Sequence, residues 1–255
     1  MKWLRAGILA LLLLFPLTAG AISDQGRPAL SRLWVSTDEG DRFACTVSYI
    51  QPYINESMSW VITAAHCADG RLIKRNEAET VAGVVNWRLV VMDHGRYTLH
   101  ITDVAVGTVP EVRDDRIHAG REKLWLNSTN PSHGQIVYIH GFPRGIEQVS
   151  LGRVVGPPVL DDIKILVQTG EYDLEWKTYP EVHPGTQLAI LVRAGTIVGG
   201  SSGSPVLNQD GRLVGILWGL LPNNPYVTGL PAGYDLAAFT PIERIHELLT
   251  VLRIR

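Results

Sequence analysis

A glycine- and serine-rich segment near the end of the chain has the composition of a nucleophile loop. It reads Gly-Gly-Ser-Ser-Gly-Ser-Pro-Val over residues 199–206, between two apolar segments predicted to be strands. Acyl transfer by a serine needs a hydroxyl, a base that takes its proton, and N–H groups that stabilise the oxyanion. Ser202 supplies the hydroxyl, and the N–H groups of Gly200 and Ser202 are the candidates for the oxyanion site. The strand–turn–strand setting differs from the strand–turn–helix nucleophile elbow of other hydrolases.

A histidine follows a predicted strand in the run Thr63–Cys67, which reads Thr-Ala-Ala-His-Cys. The two small residues before His66 leave room around an imidazole, and a disulfide at Cys67 would fix its backbone. His66 is therefore the candidate base.

An aspartate opens the apolar segment Asp103–Val106. Burying a carboxylate is costly unless it is hydrogen-bonded, and a histidine N–H is a partner that also fixes the tautomer a base needs. Asp93, which also follows an apolar strand, is the alternative orienting acid. The Asp-Val-Ala-Val sequence favours Asp103.

Short strands must position these residues, because the apolar segments are brief and are separated by Gly, Pro, Asn or Asp. An Asp-Gly turn is predicted at 209–211, where it would close a hairpin. The predicted strands are Ala44–Ile50, Trp60–Ala64, Trp87–Met92, Thr98–His100, Ile136–His140, Ile163–Thr169, Leu188–Val192, Pro205–Leu207 and Leu213–Trp218.

Helical periodicity begins only at the C-terminal end. Thr240 is predicted to cap a helix that starts at Pro241, with Glu243 as the third residue of a capping box. We expect the helix to pack on the body of the protein through one apolar face. That face consists of Ile242, Ile245, Leu248, Leu249 and Leu252.

Residues 1–21 have the pattern of a secretory signal peptide. Lys2 and Arg5 precede the apolar run Ala6–Leu14, and the segment ends in Ala-Gly-Ala. The apolar run is short for a membrane span of about 20 residues. We therefore expect cleavage at the end of this segment, and a protein that is secreted or periplasmic.

The two cysteines of the chain, Cys45 and Cys67, are expected to form a disulfide in an exported protein. A metal site is the weaker alternative, because two thiols lack further ligands at zinc-site spacing.

The mature segment, residues 22–255, carries a modest negative charge. Without Lys2 and Arg5, 21 basic residues face 25 acidic residues, a formal charge of −4. No basic stripe supports a nucleic-acid partner, and no second apolar run is long enough to cross a bilayer. The oligomeric state is not predicted. A polar stretch, Leu126–Gly134, is the candidate connection between two halves.

The segments Thr63–Cys67, Asp103–Val106 and Gly200–Pro205 resemble the His, Asp and Ser motifs of chymotrypsin-fold (trypsin-like) serine peptidases, in that family's chain order. Cys45 and Cys67 are similar to its disulfide beside the catalytic histidine. The form of the serine motif resembles bacterial trypsin-like and glutamyl-endopeptidase-like members most closely.

The resemblance implies an all-β fold of two antiparallel six-stranded β-barrels, with the active site between them and a C-terminal α-helix. We expect an N-terminal barrel at 22–126 that carries His66 and Asp103. A C-terminal barrel at 127–255 would carry Ser202.

The implied function is that of a secreted serine endopeptidase acting on protein or peptide substrates through an acyl-enzyme. Ser202 would attack the carbonyl, His66 would move the proton, Asp103 would orient the imidazole, and the N–H groups of Gly200 and Ser202 would form the oxyanion hole. The mechanism requires no metal or organic cofactor. The alternatives are a catalytically silent fold that binds protein partners, and hydrolysis of a small ester or amide by the same residues.

Two positions depart from the family pattern. Ser201 stands where trypsin-like enzymes have an aspartate that pairs with a newly cut N-terminus, so we expect no activation switch of that kind. Thr196 falls at the base of the implied specificity pocket, where an acid would favour Lys or Arg, so a tryptic preference is not supported. Trp218 and Gly219 resemble the strand that pairs with the substrate backbone.

Overall fold

The computed structural model describes residues 28–37, 40–51, 58–68, 76–80, 83–86, 88–94, 102–110, 122–182, 188–221 and 225–251. The predicted signal peptide and the predicted strand Thr98–His100 lie outside these residues.

The first half of the described chain forms one seven-stranded antiparallel sheet, in the order β5-β4-β1-β2-β3-β7-β6. Its central strands are rich in Val, Ile and Tyr, and their side chains are buried, as strand propensity and burial together require. The strands are β1 (Leu30–Thr37), β2 (Gly40–Ile50), β3 (Met58–Thr63), β4 (Asn76–Thr80), β5 (Gly83–Asn86), β6 (Arg88–His94) and β7 (Asp103–Pro110).

The second half forms a closed barrel, β12-β16-β14-β13-β8-β9, and a separate three-stranded sheet, β11-β10-β15. The strands are β8 (Ile136–Gly141), β9 (Gln148–Val155), β10 (Lys164–Gln168), β11 (Leu174–Thr178), β12 (Leu188–Arg193), β13 (Pro205–Leu207), β14 (Leu213–Leu221), β15 (Val227–Thr228) and β16 (Tyr234–Pro241). Helices α1 (Val159–Asp162), α2 (Tyr179–Val182) and α3 (Ile242–Val251) complete the fold.

The predicted fold class is confirmed: the protein is mostly β, with a closed six-stranded barrel and a C-terminal helix. The N-terminal sheet differs in detail from a six-stranded barrel, because in the described residues it has seven strands and β5 and β6 form its edges. The hairpin β4–β5 was not predicted, since Asn-Glu-Ala-Glu-Thr at 76–80 lacks an apolar alternation. The division at residue 126 remains a prediction.

The predicted hairpin turn between β13 and β14 is present, and Asn208 closes it. The Asn208 side-chain oxygen accepts the backbone N–H groups of Asp210 and Arg212 at 3.0 and 2.9 Å. Gly211 has a φ of 74° and open space around its Cα, which is where the turn needs a positive φ.

The C-terminal helix packs through its apolar face, as predicted, into a cluster that the N-terminal sheet shares with β13 and β14. Ile242, Ile245 and Leu249 are buried in the same cluster as residues of β1, β2, β3 and β7. Leu248 packs partly against this cluster, and Leu252 lies outside the described residues.

The predicted cap of this helix was wrong. Thr240 and Pro241 are the last residues of β16, and the Thr240 hydroxyl accepts the Asp103 backbone N–H instead. Asn130 serves the helix end: its Oδ1 accepts the Glu243 N–H at 3.2 Å, and its Nδ2 donates to Glu243 Oε2 at 2.8 Å. The cap thus comes from the connecting segment, 113 residues away in sequence.

Replacing Asn130 by Ala should lower the free energy of unfolding by about 1 kcal/mol, because the first turn of α3 loses its side-chain acceptor. Ser128→Ala, an exposed change in the same segment, is the control and should have almost no effect. Urea unfolding followed by tryptophan fluorescence measures both variants. Equal stabilities would show that water replaces the cap without cost.

Candidate active site

His66 is held by two hydrogen bonds to the carboxylate of Asp103, one from its backbone and one from its ring. Asp103 Oδ1 accepts the His66 backbone N–H at 2.8 Å, and Asp103 Oδ2 lies 2.6 Å from the ring Nδ1. A carboxylate only accepts hydrogen bonds, so this contact assigns the proton of the neutral ring to Nδ1. Nε2 is then a proton acceptor, which is the state a general base requires.

Neighbouring strands bring the two residues together. His66 lies in a 3₁₀ turn, Ala65–Cys67, directly after β3. Asp103 is the first residue of β7, which pairs with β3. The Asp103 side chain is 5% exposed and that of His66 is 28% exposed, so the acid is shielded from water while the ring remains accessible. Asp93, the alternative acid, lies in β6, and its side chain is outside the described residues.

A disulfide anchors the histidine turn, as predicted. Cys45 of β2 is bonded to Cys67, the residue after His66. The two sulfurs and the His66 ring lie within 4.8 Å of one another, a spacing that would suit a metal ion. Sulfurs joined in a disulfide are not thiolates, however, so this group does not provide the ligands of a metal site.

Ser202 lies in a loop that is fixed from two sides. Its carbonyl accepts the Thr46 N–H at 2.8 Å, and the following Gly203 N–H donates to the Leu217 carbonyl at 2.8 Å. A Cβ on Gly203 would overlap the Thr46 carbonyl oxygen and the Thr63 hydroxyl, and φ there is 81°. The loop can therefore pass between these neighbours only with glycine at this position.

The two candidate oxyanion donors belong to the same loop. Within the described chain, the N–H groups of Gly200 and Ser202 donate no hydrogen bond to another protein group. The Gly199 carbonyl accepts the Arg144 N–H at 2.8 Å. Because the N–H and C=O of a trans peptide point in opposite directions, this bond turns the Gly200 N–H away from Arg144.

The described residues show no hydrogen bond between the Ser202 hydroxyl and the His66 ring. Both residues are instead attached to adjacent positions of β2. Cys45 is bonded to the neighbour of His66, and Thr46 to the carbonyl of Ser202.

Ser201 is buried and closes a tight turn of the loop on itself. Its hydroxyl accepts the Val198 N–H at 3.2 Å, and its own N–H donates to the Val198 carbonyl at 3.0 Å. These bonds lie within the loop, and the expectation that no new N-terminus is needed stays a prediction.

The predicted specificity residues occupy two places in the barrel. The Thr196 hydroxyl donates to the Arg193 carbonyl at 2.6 Å, within the turn after β12. Trp218 and Gly219 lie in β14, where the pairing with β16 is interrupted by a register shift between Leu217 and Gly219.

Three residues that shape this site were not found in the sequence: Thr46, Arg144 and Thr240. The Thr46 hydroxyl donates to the Gly200 carbonyl, and the Arg144 N–H donates to the Gly199 carbonyl. The Thr240 hydroxyl accepts the Asp103 N–H. The sequence offers one hint for two of them: Thr46 and Thr240 are polar residues that stand among apolar strand residues. This pattern does not reveal which groups they bind.

The model of the trypsin-like peptidase domain matches residues 46–216 of the chain, which is more than half of its length. The chain belongs to the trypsin-like peptidase family. This trypsin-like peptidase is therefore a hydrolase of the serine endopeptidase class, as predicted. No curated protein matches its sequence significantly.

Solved structures resemble this trypsin-like peptidase in fold at low sequence identity. The active form of the Rv3671c protease from M. tuberculosis has 15% identity and a TM-score of 0.56, with 88% of this chain and 80% of that chain covered. Kallikrein-related peptidase 10 has 18% identity and a TM-score of 0.57, with 90% and 96% covered. A serine endoprotease from Yersinia pestis has 15% identity and a TM-score of 0.55, with 93% and 67% covered.

Replacing Gly203 by Ala should destabilise the trypsin-like peptidase by about 3 kcal/mol or more, because the new Cβ overlaps Thr46 and Thr63 in addition to the backbone strain. Gly211→Ala is the matched control. It has a similar positive φ, 74°, but open space, so only the strain of about 1–2 kcal/mol applies. Urea unfolding of both variants tests this, and equal losses would contradict the steric argument.

Proposed function

We propose that His66, Asp103 and Ser202 form the catalytic triad of a secreted endopeptidase. The observation that carries the proposal is the pair of hydrogen bonds from His66 to Asp103, at 2.8 and 2.6 Å. They orient the ring and stabilise the imidazolium that forms when Nε2 takes a proton. The absence of a Ser202–His66 hydrogen bond in the described chain does not oppose this role, because such bonds often tighten only when substrate binds.

In the proposed reaction, Ser202 Oγ attacks the peptide carbonyl while its proton moves to His66 Nε2. The carbonyl π electrons move to oxygen, and the N–H groups of Gly200 and Ser202 stabilise the resulting oxyanion. Collapse breaks the C–N bond, and the leaving amine takes the proton from His66. Water then attacks the acyl-enzyme with His66 again as base, and the acid product and free Ser202 are regenerated.

The substrate is proposed to lie along β14. The neighbouring strand β13 begins at Pro205, opposite Ile216 of β14, so the stretch from Gly219 to Leu221 extends beyond its first residue. An extended peptide can add to such a strand through main-chain hydrogen bonds. Trp218 and Gly219 would contact the residues before the cleaved bond, and Thr196 would lie near the base of the specificity pocket.

Export is proposed from two features. The Cys45–Cys67 disulfide forms readily only in an oxidising compartment, and residues 1–21 have the signal-peptide pattern. Among the described residues, no helix combines the length and the apolar character that a bilayer span needs. The proposed location is the periplasm or the outside of the cell.

Treatment with a fluorophosphonate should add one adduct to the purified protein, mapped to Ser202 by mass spectrometry and absent from Ser202→Ala. Only a serine activated by a base and an oxyanion hole reacts in this way. Asp103→Asn should slow the reaction by up to about 10⁴-fold, because the ring loses its orienting charge.

If the folded native protein acquires no adduct, the triad proposal is contradicted. A protein-binding role for the same fold would then be the better reading, to be tested by capture of peptides along β14.

A further inference from the structure

The Thr46 hydroxyl is fully buried and is engaged with three partners, although none of the proposed catalytic steps uses it. Thr46 Oγ1 donates to the Gly200 carbonyl at 3.0 Å and accepts the Phe142 N–H at 3.0 Å. The Ser204 hydroxyl is its third partner, at 3.3 Å. A hydroxyl has one proton and two lone pairs, so these partners use its full capacity.

The backbone of Thr46 makes two further contacts with the site. Its N–H donates to the Ser202 carbonyl at 2.8 Å, and its carbonyl accepts the Thr63 hydroxyl at 2.7 Å. Thr63 begins the run that leads to His66, and Ser202 is the proposed nucleophile. One strand residue of the N-terminal sheet is thus bonded to both sides of the catalytic centre.

The hydroxyl acts on the peptide next to the oxyanion donor. Gly200 has a φ of 92° and is flanked by two peptide units. The carbonyl of the preceding unit is held by Arg144, and the carbonyl of the following unit by Thr46. A rotation that turned the Gly200 N–H out of the oxyanion position would have to break at least one of these bonds.

Packing around Gly200 reinforces this orientation. A Cβ on Gly200 would overlap the Phe43 ring and crowd the Phe142 carbonyl oxygen. The N–H of Phe142 is bound by Thr46 Oγ1 as well. The Thr46 hydroxyl therefore holds both Gly200 and the Phe142 backbone against which Gly200 packs.

We propose that Thr46 is a positioning residue for the oxyanion hole, whose hydroxyl holds the Gly200 carbonyl and the Phe142 N–H so that the Gly200 N–H faces the substrate carbonyl. This inference rests on the proposed function. The role is distinct from that of the Thr46 backbone N–H, which any residue at this position would supply.

Thr46→Val tests the inference, because valine keeps the shape and removes the hydroxyl. Turnover of a fluorogenic peptide that the wild-type enzyme selects from a library gives kcat and KM. Fluorophosphonate labelling to completion gives the number of active sites. The variant should lose about 10- to 100-fold in kcat per site, somewhat less than outright removal of an oxyanion donor. KM should change less than about 3-fold, since ground-state binding is not altered.

Two controls separate positioning from general stabilisation. Thr46→Ser keeps the hydroxyl and should recover kcat to within about 3-fold of wild type. Ser204→Ala removes a hydroxyl from the same buried network without touching the Gly200 carbonyl, so it should keep kcat even where it lowers the melting temperature.

A Thr46→Val enzyme with a lower melting temperature but wild-type kcat per site would overturn the inference, as would an equal loss of kcat in Ser204→Ala. If Thr46→Val does not fold, Thr46→Ala replaces it, because alanine also removes the hydroxyl and adds no bulk, and the same fall in kcat is expected. A wild-type protein with neither turnover nor an adduct would overturn the proposed function itself. Active wild type with an unaffected variant refutes only the role of Thr46.

Discussion

A buried carboxylate needs hydrogen-bond donors around it. The buried Asp103 has partners from both halves of the fold, His66 from the first and Thr240 from the second. The Asp103 carboxylate accepts hydrogen bonds from the backbone N–H and the ring N–H of His66. The backbone N–H of Asp103 donates to the Thr240 hydroxyl. Without these partners, the desolvation of the charge would cost several kcal/mol. The end of β3, the start of β7 and the end of β16 must therefore converge on one point, which lies beside the candidate base His66.

The candidate site residues could be proposed from short stretches of sequence, because packing constrains their composition. Gly203 must be glycine since its neighbours leave no space for a Cβ, and the buried Ala64 and Ala65 allow the chain to turn tightly before His66. The disulfide and most central strands followed from equally local patterns. In each case the constraint leaves a glycine, a small residue, a cysteine or an apolar run within a short stretch, so it remains visible in the sequence even where the packing partner is distant.

The supporting contacts were not predictable, because their partners are far apart in the chain. The Thr46 hydroxyl and the Gly200 carbonyl are 154 positions apart, and Asn130 lies 113 positions from the helix end that it caps. Thr240 has the residue type of a helix cap and precedes a proline, yet it continues a strand because its hydroxyl is needed at Asp103. Here a tertiary hydrogen bond overrides the local sequence preference for a helix cap.

The burial of α3 in a cluster that it shares with the first sheet has a consequence for the order in which the molecule can fold. Ile242, Ile245 and Leu249 fill the same cluster as Val47 and Val106, so the first sheet lacks part of its interior until α3 has been synthesised. Early segments emerging from the ribosome cannot bury their apolar side chains against that helix. The first sheet and the C-terminal helix therefore reach their final packing together, late in folding.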